Sequence, residues 1–261
     1  MTTSKKTIEF TAKNVKAFTG WLKRFTSIDN SLLLEIDQSS SSFIAKSYNE
    51  ERSVVKMSTI RFDEAGFLVK ENNDSKRIKV GLFNIPRLIK IMDQFNDVEF
   101  TLTVEYQELI SDNDTVCAGE KILLKNKLLK MNVDCTSLNI FKYIADNLFK
   151  ETIAKIDVIG KFEFIKANLE KINTLNGLDD TDHIVMQFQF VDGEVKVSGK
   201  AYDLLLSDCI LEKSINAGLT IFKDQYSNLD VENYDVQLGE DRLVFTSIDS
   251  DTITVISKAE E

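Results

Sequence analysis

Residues that could carry out catalysis are few in this sequence, and histidine is the first to consider. His183 is the only histidine among 261 residues, and it opens a run with strand-like alternation. A Ser/His/Asp relay needs a histidine beside its nucleophile, and histidine-rich zinc sites need several such ligands. We therefore interpret His183 as structural and expect neither a catalytic relay nor a multi-histidine metal site.

Three aspartates are the other candidates for chemistry. Asp179, Asp180 and Asp182 lie together in a polar segment between a predicted helix and a predicted strand. They could bind a metal ion or supply the carboxylate pair of a hydrolase, but a solvated turn is the simpler interpretation. The sequence has neither the phosphate-binding pattern GxxxxGK[ST] nor the dinucleotide pattern GxGxxG. We predict a binding protein without catalytic residues, metal or cofactor, and not an enzyme.

The cysteines and the hydropathy indicate the compartment. Cys117, Cys135 and Cys209 are widely spaced and form no CxxC pair, so we interpret them as reduced and structural. No apolar stretch approaches the roughly 20 residues needed to cross a bilayer. Residues 1–10 lack the hydrophobic segment of a signal peptide. We expect a soluble cytoplasmic protein with no membrane partner.

The charge is unevenly distributed along the chain. The whole sequence has a net charge of −10. Residues 1–26 nevertheless carry six Lys or Arg against Glu9 alone, a net of +5, which leaves −15 for the remaining residues. A basic element therefore belongs to an otherwise acidic protein, and charge of this kind bears on which partners are attracted.

The first predicted helix, from about Lys13 to Thr26, contains most of these cations. At 100° per residue its apolar side chains form one stripe. The stripe consists of Val15, Phe18, Leu22 and Phe25. The cations cluster on the opposite face and are Lys13, Lys16, Lys23 and Arg24. Trp21 lies at the edge of the stripe, and we expect it to pack in the core.

A second predicted helix, over about residues 84–95, has the same polarity. Asn84 is a good N-cap, and Pro86 stands in the first turn, where a missing N–H is harmless. Arg87 and Lys90 point away from its apolar stripe.

The two predicted helices of the second half, about residues 164–176 and 222–229, are less basic. Their cations are Lys166, Lys171 and Lys223, and Glu170 interrupts the first two.

Solvation alone would explain cations on the outer face of any single helix. Two aligned cases in an acidic protein favour a surface that faces phosphates. No zinc-finger pattern or base-reading module accompanies them, and contacts to the phosphate backbone carry no sequence information. We predict non-specific binding to double-stranded DNA.

Short runs rich in Val, Ile, Phe and Thr predict a β-rich fold. One Pro and ten Gly leave little room for long flexible linkers. A length of 261 residues suits about two domains. A strand leading into an amphipathic helix recurs in both halves, and the alternation lapses between them. We predict an α+β fold of two similar domains, 1–134 and 157–261, with an interdomain connector at 135–156.

The predicted strands follow from alternation and turn signals. The dipeptide Asp192-Gly193 between two alternating runs is a strong hairpin signal. The predicted strands are 7–12, 32–37, 42–48, 53–62, 78–83, 98–106, 116–125, 127–133, 157–163, 183–190, 194–199, 234–240, 242–248 and 252–257.

Four segments resemble the DNA polymerase sliding clamps, especially those of large tailed bacteriophages and more distantly proliferating cell nuclear antigen. They are NVKAFTGWLKRFTSIDNSLLLEI (14–36), VGLFNIPRLIKIMDQFNDVEFTL (80–102), FIKANLEKINTLNGL (164–178) and YDVQLGEDRLVFTSIDSDTITVIS (234–257). The resemblance implies two clamp domains per subunit, each with antiparallel sheets outside and two amphipathic helices inside. It also implies a homotrimeric ring, joined head to tail, that encircles duplex DNA as the processivity factor of phage replication.

The resemblance also assigns residues to roles. The cations lining the ring would be Lys13, Lys16, Lys23, Arg24, Arg87, Lys90, Lys166, Lys171 and Lys223. DNA polymerase and the clamp loader would bind through short hydrophobic peptides, in a pocket whose walls include Phe141, Val255 and Ile256. The alternative is an acidic β-rich interaction or virion protein, such as a DNA mimic, that forms no ring.

Overall fold

The computed structural model describes residues 6–70, 76–111, 114–145, 149, 153–178, 185–191, 194–206 and 217–259. The chain divides into two compact units. The first unit contains residues 1–47 and 58–147, and the second contains residues 48–57 and 148–261. Both combine β-sheet with short helices, which confirms the predicted α+β class.

The first unit is a mostly antiparallel sheet with two helices. Its strands are β1 (Lys6–Ala12), β2 (Ser31–Asp37), β3 (Ser42–Tyr48), β4 (Val54–Arg61), β5 (Phe67–Lys70), β6 (Arg77–Phe83), β7 (Phe100–Ser111), β8 (Asp114–Lys125) and β9 (Lys130–Asp134). Its helices are α1 (Lys16–Lys23), α2 (Ile85–Asp93) and a 3-10 turn (Leu138–Phe141). The strands follow the order β3-β2-β6-β8-β7-β1-β5, and β9 pairs with β8. β4 begins in the second unit and ends in the first.

The core of the first unit forms where the apolar face of this sheet meets the apolar stripes of both helices. Aromatic rings dominate it: the ring centroids of Phe43 and Phe62 are 4.6 Å apart, and those of Phe18 and Phe43 are 4.9 Å apart. Burying each such ring stabilises the fold by about 1.5–3 kcal/mol. Trp21 is also buried, as predicted, and its Nε1 donates a hydrogen bond to Ser58 Oγ over 2.8 Å.

Side chains close in sequence explain where the helices begin. The Asn14 side chain accepts a hydrogen bond from the backbone N–H of Lys16, and α1 begins there, not at Lys13 as predicted. After Lys23 the chain continues as turns. Asn84 caps α2 as predicted, because its Oδ1 accepts the backbone N–H of Arg87 over 3.0 Å.

The second unit has two sheets and two helices. Its strands are β10 (Gly160–Phe164), β11 (Val185–Val191), β12 (Glu194–Ser198), β13 (Asp203–Leu206), β14 (Ala217–Phe222), β15 (Tyr234–Leu238), β16 (Arg242–Ser247) and β17 (Thr252–Ser257). Its helices are α3 (Lys166–Asn176) and α4 (Lys223–Tyr226). One sheet has the order β10-β15-β16-β17 followed by β4, and the other has the order β13-β12-β11-β14. The pairing of Val191 with Glu194 confirms the predicted β11–β12 hairpin, although its two turn residues lie outside the described residues.

Gly81 on β6 lies directly under the segment that follows β9. The backbone N–H of Thr136 donates to Gly81 O over 2.8 Å. A Cβ atom at position 81 would lie 2.5 Å from Thr136 O and 3.0 Å from Phe141 Cε2. The first of these atoms is backbone, so a larger residue cannot be accommodated without moving the segment.

We expect Gly81→Ala to destabilise the first unit by about 1–3 kcal/mol, the usual cost of overpacking. Denaturant unfolding followed by tryptophan fluorescence measures this, because Trp21 is buried in the same unit.

Gly20→Ala is the matched control. A Cβ atom at this α1 position meets nothing within 4 Å. Replacing glycine by alanine inside a helix should stabilise the protein, by up to about 1 kcal/mol. Unchanged stability of the Gly81→Ala protein would contradict the close contact.

Candidate nucleic-acid interface

The helices α1 and α2 pack side by side in the first unit. Lys16 begins α1, and its Nζ lies 3.9 Å from Oδ1 of Asp97, which follows the end of α2. The start of α1 therefore lies near the end of α2. Because both bury an apolar stripe in one core, their remaining faces are exposed together on one surface. We call this surface, with the turns that flank it, the α1–α2 surface.

The α1–α2 surface carries the cations that the sequence predicted for it. Lys16 and Lys23 are exposed on α1, and Arg87 and Lys90 are exposed on α2. Two further predicted cations flank α1: Lys13 is exposed in the bend before it, and Arg24 is half-buried at its end. Flexible cations on one surface can contact several phosphates of a duplex, each contact releasing condensed counterions.

Two carboxylates share this surface. Asp93 is exposed on α2, and its Oδ1 accepts a hydrogen bond from Asn96 Nδ2 over 3.1 Å. Asp97 has a backbone φ of 66°, in the left-handed region, and its carboxylate points toward Lys16.

The cations of the second unit are less uniform. Lys166 and Lys171 are exposed on α3, and Lys166 Nζ lies 3.9 Å from Glu170 Oε1. Lys223 is half-buried, and its Nζ donates to the backbone carbonyl of Asn176 over 2.7 Å. A lysine in that position caps the last turn of α3 and interacts favourably with its dipole. Its ammonium is therefore directed at a backbone carbonyl of the same unit.

The three predicted wall residues of a peptide pocket are buried. Phe141, Val255 and Ile256 expose 2%, 2% and 0% of their surface. Phe141 packs over Gly81, and Ile256 belongs to the core of the second unit. They present little surface of their own to a ligand, and the pocket stays a prediction.

A groove in the first unit was not predicted. It has a volume of about 1050 Å³ and lies between β1, β7, β8 and the turn before β9. Leu128 in that turn is 96% exposed, and Val98 on the other side is 49% exposed. The polar lining includes Lys125, Lys127, Lys130, Glu9 and Glu99. Large exposed apolar patches are a feature of surfaces that bind other proteins, and Leu128 and Val98 contribute apolar surface to this groove.

The remaining candidates for chemistry have no described site. Asp179, Asp180, Asp182, His183 and Cys209 lie outside the described residues. Within the part of the chain that the structure describes, no three His, Cys, Asp or Glu side chains are grouped so that they could hold a metal ion.

Neither described cysteine, Cys117 nor Cys135, forms a disulfide. Burial, together with the negative charges of Asp134 and Glu120, raises the pKa of Cys135 to about 12. A thiol that stays protonated at neutral pH is a poor nucleophile and metal ligand.

Among the described residues, no helix combines the length and the apolar character that crossing a membrane requires.

The fold is that of sliding clamps. A structure of A. fulgidus PCNA with the bound C-terminal region of FEN-1 has a TM-score of 0.61 and 10% identity, over 97% of this chain and 99% of that one. Entamoeba histolytica PCNA has a TM-score of 0.63 and 13% identity, over 97% of this chain and 99% of that one. The Helicobacter pylori β clamp bound to a DNA ligase peptide has a TM-score of 0.65 and 11% identity, over 98% of this chain and 66% of that one.

These similarities concern structure only. No protein-family model and no curated protein sequence matches this chain. The chain spans nearly the full length of the PCNA chains and about two thirds of the β clamp chain. The two-domain clamp architecture predicted from the sequence is therefore confirmed as a fold.

Proposed function

We propose that this protein is one subunit of a ring-shaped DNA sliding clamp. It would encircle duplex DNA without sequence specificity and tether a replicative DNA polymerase as its processivity factor. The α1–α2 surface is the observation that carries this proposal. In an acidic protein with the sliding-clamp fold, it gathers Lys16, Lys23, Arg87 and Lys90 on one exposed side.

The chemistry of this surface fits phosphates. Lysine and arginine on exposed helix faces contact the DNA backbone, which fixes position and carries no sequence information. Binding of this kind is weak at physiological salt and allows a protein to slide along the duplex. The proposed lining is completed by Lys13, Arg24, Lys166, Lys171 and Lys223. Of these, Lys223 has the weakest structural support, because its ammonium already donates a hydrogen bond to Asn176 O.

The ring would close through strand edges. β9 pairs only with β8 and β13 pairs only with β12 among the described strands, so each has one free edge. Natural edges are usually protected by charges or by short length. Leu128 precedes β9 with 96% exposure, however, and Leu205 on β13 is 50% exposed.

The two edges resemble each other in apolar character. Lys127 and Lys130 lie beside Leu128, whereas Asp203, two residues before Leu205, already pairs with Lys196 over 3.2 Å. When two subunits join through unlike patches, each of them still has one unused patch. Further subunits can therefore add head to tail until the ring closes. Three subunits with two clamp domains each would form a six-domain ring. At each contact, β13 of one copy would bind in the groove beside Leu128 of the next copy.

Partner proteins would bind through peptides. Two of the similar structures carry a region of FEN-1 and a peptide of DNA ligase. We infer that DNA polymerase and the clamp loader bind this chain through short hydrophobic peptides.

The sequence resemblance to clamps of large tailed bacteriophages supports a role in phage DNA replication in the host cytoplasm. We propose a binding protein and not an enzyme, because topological linkage to DNA needs no bond-making chemistry.

Reversal of the four α1–α2 cations tests the DNA-binding role. The variant carries Lys16→Glu, Lys23→Glu, Arg87→Glu and Lys90→Glu. We expect its affinity for duplex DNA at low salt to fall at least about ten-fold, because the phosphate contacts are lost. The slope of log affinity against log salt should also fall by about 0.9 for each lost contact. Fluorescence anisotropy on duplexes of unrelated sequence measures this, and native mass spectrometry should show unchanged assembly.

The control variant reverses four exposed lysines outside the helices: Lys142→Glu, Lys155→Glu, Lys200→Glu and Lys258→Glu. Its net charge equals that of the first variant, so long-range repulsion of DNA is matched. Equal loss of affinity in both variants would show that no particular surface faces DNA.

The subunit contact is tested with single leucines. We expect a trimer for the unmodified protein by native mass spectrometry, and mostly monomer for Leu128→Asp or Leu205→Asp, because removing an introduced carboxylate from water at an apolar contact is costly. Leu68→Asp is the control, since Leu68 is 69% exposed on the edge strand β5, which is outside the proposed contact. A monomeric unmodified protein at micromolar concentration would refute the ring.

A further inference from the structure

We propose that Asp97 limits how strongly the α1–α2 surface holds DNA, by competing with phosphate for the ammonium of Lys16. This inference rests on the proposed DNA-binding function. Lys16 Nζ and Asp97 Oδ1 are 3.9 Å apart, and the two side chains are 65% and 74% exposed. The cation is thus available to DNA and is accompanied by an anion when DNA is absent.

The backbone at position 97 makes the choice of residue notable. Asp97 has a φ of 66°, and the turn around it is closed by the Val98 N–H donating to Phe95 O over 3.3 Å. Glycine occupies this left-handed region without strain, whereas an aspartate accepts a cost in order to be there. The position therefore carries a carboxylate where the backbone alone would favour glycine.

Neighbouring acids do not duplicate the arrangement. Asp93, one turn earlier, accepts a hydrogen bond from the Asn96 amide within its own helix end. Glu99, two residues later, lines the groove beside Leu128. Asp97 is the acid at this end of α2 whose carboxylate approaches a cation of α1.

The consequence for DNA binding follows from ion exchange. When a phosphate takes Lys16 from Asp97, the carboxylate loses its partner and attracts a counterion from solution. That uptake offsets the counterion release on which affinity depends. The phosphate also approaches a negative charge, so each contact at Lys16 is weaker and shorter-lived. A protein that must move along DNA benefits from contacts that exchange rapidly.

Asp97→Asn tests the proposal, because asparagine keeps the size and tolerates the left-handed backbone while the charge is lost. We expect duplex affinity at low salt to rise about two- to five-fold per subunit. This is the change expected when DNA no longer has to break one exposed ion pair in order to bind. The salt slope should steepen by up to about 0.9 per subunit. Fluorescence anisotropy on duplexes of unrelated sequence measures both.

Asp241→Asn is the matched control, because Asp241 is another exposed aspartate with an ion pair, to Arg242 at 2.6 Å. It removes the same charge from the turn after β15, in the second unit, and affinity should stay unchanged. An equal gain from Asp241→Asn would overturn the proposal, since the effect would then be one of net charge alone.

Lys16→Gln separates this proposal from the function on which it rests. Affinity should fall with Lys16→Gln, and adding Asp97→Asn to it should restore little, because Asp97 acts through Lys16. If Lys16→Gln weakens binding but Asp97→Asn does not strengthen it, the role of Asp97 is refuted and the proposed function stands. If neither Lys16→Gln nor the four-fold reversal changes DNA binding, the proposed function fails and this inference fails with it.

Discussion

The burial of two apolar helix stripes in one core is the constraint on which the rest of the first unit depends. Phe18 and Leu22 of α1 and Leu88 and Met92 of α2 are almost fully buried in the same cluster. Removing that apolar surface from water stabilises the fold. It also fixes the rotation of each helix about its own axis, because the apolar stripe must face the core. The polar faces must then lie together. The cations on them become one surface through packing, although they are far apart in the sequence.

This surface carries a modest positive charge within an acidic protein, and that balance is physically informative. A strongly basic protein binds DNA tightly by itself and remains where it binds, because affinity grows with each phosphate contact. Here a few exposed cations are accompanied by Asp93 and Asp97. Weak contacts of this kind suit a protein that stays on DNA by enclosing it. The acidic remainder of the chain would repel the phosphates of DNA.

Local sequence signals were sufficient for the parts of the structure that depend on near neighbours. The 3.6-residue period predicted α1 and α2, and Asn84 marked the start of α2 because its side chain bonds three residues along. The β11–β12 hairpin was predicted from its turn. The predicted limits of α1 were too wide at both ends. At the start, the Asn14 side chain accepts a hydrogen bond from the backbone N–H of Lys16, and at the end the residues after Lys23 form turns.

Distant pairing explains what sequence reasoning missed. Strands β5, β13 and β14 were not predicted, since they are short or lack strict alternation and depend on their partner strands. The bond from Lys223 to Asn176 joins residues 47 apart. The exposure of Leu128 also follows from tertiary structure, because sequence cannot tell which leucine stays in water.

Particle images of the purified protein test the central claim most directly. If three copies surround DNA with their α1–α2 surfaces inward, single-particle electron microscopy with short duplexes will show closed rings of six similar domains with density for DNA in the central hole. Compact particles without a hole, or DNA bound at the outer edge, would contradict enclosure and favour an acidic interaction protein instead.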